Sequence, residues 1–169
     1  MKRNIKTLAD ALAYQLEGLV FVENRIKKEY TTCNPQIASN EVRSEIKKYM
    51  ESSEEKLLKL KRVFNYLLRE PVASKNKVIN EMLAETHHLL DYATTSELKD
   101  ILMISCIQKI NAYKVAAYRI AYRFAVELEL ETAGELLYEV IQWELQANTV
   151  LAELSTKEFN RASSAINPS

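Results

Sequence analysis

The stretch that decides the fold lies at residues 108–118 and reads QKINAYKVAAY. It is typical of a helix inside a helical bundle, and it places an amide, Asn111, and an ammonium group, Lys114, at positions that face the core. A buried charge costs several kcal/mol unless an opposite charge pairs with it. The residues that neutralise Lys114 should therefore lie on the neighbouring helices.

The composition favours an all-α fold. Only two Gly and three Pro punctuate the 169 residues, so long uninterrupted helices are expected and tight hairpins are not. A chain of this length forms one domain of ordinary size. We expect a single bundle over residues 1–159, followed by a polar carboxy-terminal tail over residues 160–169.

Capping boxes mark the helix starts. In such a box the Thr hydroxyl accepts from the backbone N–H of the residue three positions later, and the carboxylate of that residue accepts from the backbone N–H of the Thr. Three such boxes are present, at Thr7 with Asp10, Thr94 with Glu97, and Thr132 with Glu135. With a further start near Asn40, they predict four long helices, over residues 7–31, 40–68, 94–126 and from 132 onward. Similar lengths and short links predict antiparallel pairs in a bundle.

The link over residues 69–96 is the exception, since it is long and contains its own short amphipathic helix. Such a segment can cross the whole bundle. Four helices with one long crossover between the second and the third form the ferritin-like arrangement, rather than the simple up-down-up-down one.

Several acidic residues interrupt the apolar stripes of these helices. Glu23 and Glu144 occupy inward positions on the first and fourth helices, so both should point into the bundle. Glu51 and Glu54 lie three residues apart on the second helix and share a face, so one or both can turn inward.

Depth along the helices suggests which polar residues meet. Counted from the link between the third and fourth helices, Lys114 lies about as deep as Glu144, and Asn111 about as deep as Asn148. The sequence therefore predicts a polar layer across the middle of the bundle.

Bundle proteins that hold two metals build such a layer from a Glu on each of two helices and a Glu-x-x-His on each of the other two. Here the set is incomplete. His87 and His88 are adjacent in the crossover helix, and we interpret them as core and solvent contacts, with a surface metal site as the alternative. Glu51-x-x-Glu54 has the motif's spacing with a carboxylate in place of the imidazole, or is simply a solvated pair.

The chain resembles the YciF/YciE family of stress-associated, ferritin-like bundles of unknown biochemical role, over nearly its whole length. The third helix carries the clearest match, with Gln108-Lys109, Tyr113 and Ala116-Ala117-Tyr118 in the family's frame. Asn111 and Lys114 stand where the family carries Glu.

The resemblance also implies which ligands survive. Glu23 and Glu144 match glutamates of the family's first and fourth helices, and Glu51 matches the first residue of its Glu-x-x-His. Glu54 stands in place of that His, and Asn148 stands where the family has an acidic residue. About half of the family's two-metal site is therefore present.

We predict that Lys114 acts as an internal counterion for Glu23, Glu144 and, within reach, Glu51. An ammonium group about 4 Å from a carboxylate gains on the order of 4 kcal/mol at an effective dielectric near 20, and it repels a divalent cation comparably. Asn111, Gln108 and Asn148 would support this polar core. In the alternative, Lys114 extends to solvent and the glutamates bind ordered water.

Two functions follow from these alternatives. In the first, the bundle is a stress-related structural or interaction protein with a degenerate two-metal site, no cofactor and no catalysis. In the second, Glu23, Glu51, Glu54 and Glu144 still bind iron or manganese and support ferroxidase-like or peroxide chemistry. The tyrosines at 113, 118 and 122 are typical of a core with bonded hydroxyls, rather than of a redox site.

The remaining expectations concern partners and location. The 23 basic and 23 acidic residues cancel, so we expect neither nucleic acid nor a membrane surface as a partner. No apolar leader or membrane-spanning run is present, and two scattered cysteines fit a reducing cytoplasm. A homodimer formed through an outer apolar helix face is expected.

Overall fold

The computed structural model describes residues 4–166, and the elements in that range are all helical. In chain order they are α1 (Leu8–Cys33), α2 (Asn40–Glu51), α3 (Ser53–Tyr66), α4 (Lys77–Tyr92), α5 (Ser96–Glu127) and α6 (Glu131–Ile166), with a short 3-10 turn at Asn34–Gln36 between α1 and α2. The predicted all-α class is confirmed.

Four rods form the bundle: α1, the pair α2 and α3, α5, and α6. The helix α1 packs on α3 and α5, and α6 packs on α5 and α3. The long link between α3 and α5 contains α4, which lies against α5. This is the single long crossover predicted from the sequence, and it is the connection typical of ferritin-like bundles.

The amino-terminal capping box of α1 forms as predicted. The Thr7 hydroxyl accepts a hydrogen bond from the Asp10 amide at 3.1 Å, and the Asp10 carboxylate accepts one from the Thr7 amide at 3.0 Å. Arg69 also pairs with the Asp10 carboxylate at 2.6 Å. The first turn of α1 is thus tied to the beginning of the crossover.

The second predicted helix is broken at Ser52, which separates α2 from α3. The Ser52 amide donates to the carbonyl of Lys48, and its hydroxyl donates to the carbonyl of Tyr49 at 2.6 Å. The inward stripe of α2 nevertheless continues across this break. Beyond it, Ser53 and Lys56 are buried on the inner face of α3.

Two helices are each followed by a non-glycine residue in the left-handed conformation. Leu68 (φ 54°) follows α3 and Glu129 (φ 56°) follows α5. In each case the next amide reaches back five residues, from Arg69 to the carbonyl of Phe64 and from Leu130 to that of Ala125. This is the Schellman pattern of helix termination. It ends α3 at Tyr66, two residues before the predicted end of the second helix at residue 68.

Three helix boundaries differ from the prediction. Thr95, rather than Thr94, caps α5, and its hydroxyl accepts from the Leu98 amide at 3.3 Å. The helix α6 begins at Glu131, so Thr132 lies inside it, and it continues to Ile166. The predicted polar tail is therefore helical as far as it is described. The residues 1–3 and 167–169 lie outside the described residues.

The core consists of two apolar clusters, one toward each end of the bundle. One includes Ile26, Ile46, Ile104 and Leu154, and the other includes Leu12, Phe64, Ala121 and Leu137. On every rod, the residues of one cluster precede those of the other along the chain, and buried polar side chains lie at or near the point where they meet. A polar layer therefore lies between the two apolar clusters of the core.

Among the helices described over residues 4–166, none has an apolar stretch that could span a lipid bilayer.

The cap of α5 gives a direct test of the boundary. Thr95→Ala removes the hydroxyl that satisfies the Leu98 amide, so the free energy of unfolding should fall by about 1 kcal/mol. Thr94→Ala is the matched control and should change it by less than about 0.5 kcal/mol. Urea denaturation followed by circular dichroism measures both. The reverse ranking would show that Thr94 is the cap.

Candidate functional site

The carboxylate of Glu23, on α1, lies in the middle of the bundle and is 0% exposed. The Lys114 ammonium group lies 2.9 Å from one of its oxygens and 3.1 Å from the other. The hydroxyls of Ser53 and Tyr118 donate to it at 2.7 and 2.9 Å. One charge and two hydroxyls thus satisfy this carboxylate.

The carboxylate of Glu144, on α6, faces it across the bundle. One of its oxygens lies 2.7 Å from the Lys114 nitrogen and 2.5 Å from the Lys56 nitrogen. Its other oxygen accepts from the side-chain amide of Asn111 at 2.8 Å and from the Tyr49 hydroxyl at 3.3 Å. Lys114 therefore bridges both glutamates, and Lys56 is a second cation on Glu144.

These side chains form what we call the buried polar layer: Glu23, Tyr49, Ser53, Lys56, Asn111, Lys114, Tyr118 and Glu144. Its two carboxylates and two ammonium groups balance in charge. Lys114 and Glu144 are 0% exposed and Lys56 is 1% exposed, so none of the four charges is compensated by bulk water. Pairing inside the layer is what makes their burial tolerable.

The charges of the layer reinforce one another. Burial acts against the charged form of Lys114, but the Glu144 and Glu23 carboxylates outweigh burial and raise the pKa of Lys114 well above its usual value. Burial likewise acts against the charged form of Glu144, yet Lys114 and Lys56 hold the pKa of Glu144 below its usual value. Both groups are therefore charged at neutral pH.

Lys56 differs from Lys114. Burial lowers the pKa of Lys56, and the neighbouring charge of Lys114 lowers it further. Its nitrogen also lies 2.8 Å from the Ser52 hydroxyl and 5.1 Å from the centre of the Tyr49 ring. Lys56 is thus the amine of the layer that gives up its proton more readily.

A surface cleft of about 250 Å³ reaches this side of the layer. Tyr49, Ser52 and Lys56 line it from α2 and α3, and Trp143 and Ala147 line it from α6. Lys56 contributes to the wall of this cleft, but its side chain is only 1% exposed.

Glu51 and Glu54 do not belong to the layer, contrary to the expectation that one or both turn inward. Both are mostly exposed, and they pair with Lys47 and Lys27 on the surface. The reason is their angular position, because the inward stripe runs through Tyr49, Ser53 and Lys56, and the two glutamates lie beside that stripe rather than on it. The residual carboxylate set is therefore only Glu23 and Glu144.

Asn148 and Gln108 also lie outside the layer. Asn148 is exposed on α6, where Ala147 takes the inward position. Gln108 is only partly buried on α5, because the neighbouring Ile107 and Ile110 fill the core there. Equal depth along a helix does not fix the direction in which a side chain points.

Sequence reasoning missed Lys56, Ser53 and Tyr49. A signal for them was present, since Ile46, Tyr49, Ser53, Lys56 and Leu60 continue one inward stripe at spacings of three and four. In a segment rich in Glu and Lys, a lysine on that stripe resembles any other solvated lysine. The interpretation of the tyrosines as core residues with bonded hydroxyls agrees with the structure at two positions. The hydroxyl of Tyr118 donates to Glu23, and that of Tyr113 accepts from the Asn76 side chain at 2.6 Å.

The layer keeps the spacing of a two-metal site but not its ligands. Two helices contribute one glutamate each, and the other two contribute polar pairs three residues apart, Ser53 with Lys56 and Asn111 with Lys114. A two-metal bundle has Glu-x-x-His at such pairs. Here Ser53 and Lys56 stand at one such spacing, and at the other Asn111 and Lys114 stand where the resembling family carries Glu. This donor set does not fit two divalent cations, since both remaining carboxylates already pair with lysine.

The fold and the layer together define a class of protein: a helical bundle with one long crossover and an ionic layer at its centre. A family model described as a domain of unknown function, DUF892, matches residues 7–164. The chain belongs to this family.

Two relatives illustrate the family. The chain is 18% identical over 159 residues to Protein YciF of Escherichia coli strain K12, covering 94% of this chain and 96% of that one. The crystal structure of the E. coli stress protein YciF matches with a TM-score of 0.87 at 17% identity, over 92% of this chain and 99% of that one. The resemblance to the YciF family inferred from the sequence is confirmed.

A second solved structure has the same fold. It is described as YcfI, a putative structural protein from Rhodopseudomonas palustris. It matches with a TM-score of 0.86 at 21% identity, over 90% of this chain and 97% of that one.

Removing the bridging lysine should be costly. Lys114→Met leaves Glu23 without a cation in a dry site, so the free energy of unfolding should fall by about 3–5 kcal/mol. Lys109→Met, on the exposed side of the same helix, is the matched control and should cost less than about 0.5 kcal/mol. Urea denaturation measures both. Equal stability of the two variants would mean that Lys114 does not neutralise the layer.

Proposed function

We propose that this protein is a non-enzymatic bundle that works in stress physiology as a structural or interaction protein, with a layer descended from a two-metal site that no longer binds metal. One observation carries the proposal. Lys56 and Lys114 belong to the two polar pairs of the layer and neutralise both of its carboxylates. The ammonium groups thus take over the charge that metal ions would supply.

Charge balance argues against adding a cation. A layer with four carboxylates and two divalent ions is neutral, and so is one with two carboxylates and two ammonium groups. A divalent ion placed about 4 Å from one of these ammonium groups would be repelled by about 8 kcal/mol at an effective dielectric near 20. The alternative of a ferroxidase-like or peroxide-handling iron or manganese site needs Glu51 and Glu54, which lie on the surface.

The stress-related role is supported by the relatives. One structural match is described as a stress protein and the other as a putative structural protein. Neither description names a reaction, which agrees with a layer that offers paired charges rather than open ligand positions. We also place the protein in the cytoplasm, since Cys33 and Cys106 are both unpaired, as is usual in a reducing compartment.

Restoring the ligands tests the proposal. The variant Ser53→Glu/Lys56→His/Asn111→Glu/Lys114→His rebuilds two Glu-x-x-His pairs and should gain about two iron or manganese ions per chain. After anaerobic loading and desalting, elemental analysis should find neither ion in the layer of the wild type. Circular dichroism with and without metal checks that the variant folds.

The control separates this layer from any other metal site. Metal bound by the wild type and lost in Glu23→Gln and Glu144→Gln would lie in the layer and would contradict the proposal. Metal that both of these variants retain lies elsewhere. Oxygen-dependent oxidation of ferrous iron by the wild type, abolished by the same two variants, would instead establish the ferroxidase-like alternative.

We further propose a homodimer that forms through α5 and α6 near the link between them. Val126 and Tyr138 are about half exposed there, and the Tyr122 ring lies 5.8 Å from that of Tyr138. Together with Leu130, these side chains form the apolar part of an open cleft that is also lined by Glu129, Glu131 and Glu135. A second copy would remove this apolar surface from water.

Sedimentation measures the oligomer directly. The wild type should sediment as a dimer at micromolar concentration, and Tyr138→Glu should sediment as a monomer because it buries a charge in the interface. Tyr92→Glu, at an exposed site on α4, is the matched control and should leave the dimer intact. A monomeric wild type would refute the interface.

A further inference from the structure

A second group of polar side chains lies outside the buried polar layer, where the carboxy-terminal end of α1 meets α4. It consists of Glu29 and Cys33, one helical turn apart on α1, and His87 on α4. A carboxylate oxygen, the thiol sulfur and an imidazole nitrogen all lie within 4.8 Å of one another. Three different metal-binding groups thus converge on one point.

We propose that Glu29, Cys33 and His87 form a binding site for one zinc ion, separate from the layer at the bundle centre. Thiolate, imidazole and carboxylate are the ligands that zinc takes in proteins. The combination favours zinc over iron(II), manganese or magnesium, because a soft thiolate selects against the harder cations. Glu29 and Cys33 approach from one helix and His87 from another, so the ion would join α1 to the crossover.

The distances suit zinc after a small adjustment. Ligand atoms in a tetrahedral zinc site lie roughly 3.5 Å apart, given bond lengths of about 2.0–2.3 Å. The ligand atoms now lie within 4.8 Å of one another, so side-chain rotation has to change the widest spacing by about 1.3 Å at most. The imidazole of His87 contacts a carboxylate oxygen of Glu29 directly, so these two ligand atoms already face each other and have to move apart to admit an ion between them.

The surroundings also suit a bound cation. Glu29 and Cys33 are 6% and 2% exposed, which keeps competing water from most of the site, while His87 is one-third exposed and leaves an entry path and a position for a bound water molecule. Arg25 pairs with the second oxygen of Glu29 at 3.3 Å, from a partly exposed position. It orients the carboxylate, as neighbours of metal ligands commonly do, although its charge opposes the cation.

Six residues of α1 separate Glu29 from Glu23, which is about 9 Å along the helix axis. The proposed zinc site and the ionic layer are therefore different places with different chemistry. Zinc at the first is compatible with a metal-free second, and neither proposal depends on the other.

The test uses the full chain, stripped of metal by a chelator and kept reduced. Isothermal titration with zinc should show one ion per chain for the wild type and should show affinity lowered tenfold or more in His87→Ala. His88→Ala is the matched control, since His88 is the exposed neighbour on the same helix, and it should bind as the wild type does. Thermal melting with zinc should show the same ranking, because a ligand of the folded state raises the melting temperature.

Cobalt(II) reports the ligands directly. A thiolate-to-cobalt absorption band in the near ultraviolet should form in the wild type and in Cys106→Ser, and should be missing in Cys33→Ser. Loss of zinc affinity in His88→Ala but not in His87→Ala, a cobalt complex without the thiolate band, or zinc binding lost in Glu23→Gln but kept in His87→Ala would each overturn the proposal.

Discussion

Lys114 is held between Glu23 and Glu144 at 2.9 and 2.7 Å, and Lys56 contacts the same Glu144 oxygen at 2.5 Å. The rest of the structure depends on this chain of contacts. None of the four charges meets bulk water, and each would be intolerable alone in the centre of a bundle. Because the partners come from α1, α3, α5 and α6, a single set of ion pairs requires all four rods to be present and in register.

That requirement explains what the layer contributes to the fold. The apolar clusters on either side are built largely from Leu, Ile, Val and Ala, and such side chains pack against one another in more than one register. Sliding one rod by a turn would leave hydrophobic contacts largely intact but would strand a carboxylate or an ammonium group without its partner. The ionic layer thus selects one alignment, as polar residues in otherwise apolar helical cores can do.

The same residues show what a sequence reveals and what it does not. Glu23, Asn111, Lys114 and Glu144 lie on helices without a break at those positions, so the apolar period carries through and indicates their inward direction. The error at Glu51 and Glu54 arises because several polar pairs of this segment are spaced three apart, and the pair that lies on the inward stripe is Ser53 with Lys56. Glu29, Cys33 and His87 meet only because α4 crosses back over the end of α1, a contact that spacing along the chain cannot indicate. The helix ends at Leu68 and Glu129 were hidden for a similar reason, since neither residue type signals a left-handed conformation.

Heating makes the burial of the ionic layer less unfavourable, whereas it weakens the stability of most of the fold. The hydration that charged groups give up on burial becomes less favourable as water is heated, so the cost of dehydrating four charges shrinks. Conformational entropy, in contrast, increasingly favours the unfolded chain. A bundle with a dry ionic centre therefore loses less of its stability on warming than one whose centre holds the same number of solvated charges. The free-energy cost of burying the four charges is largest at low temperature.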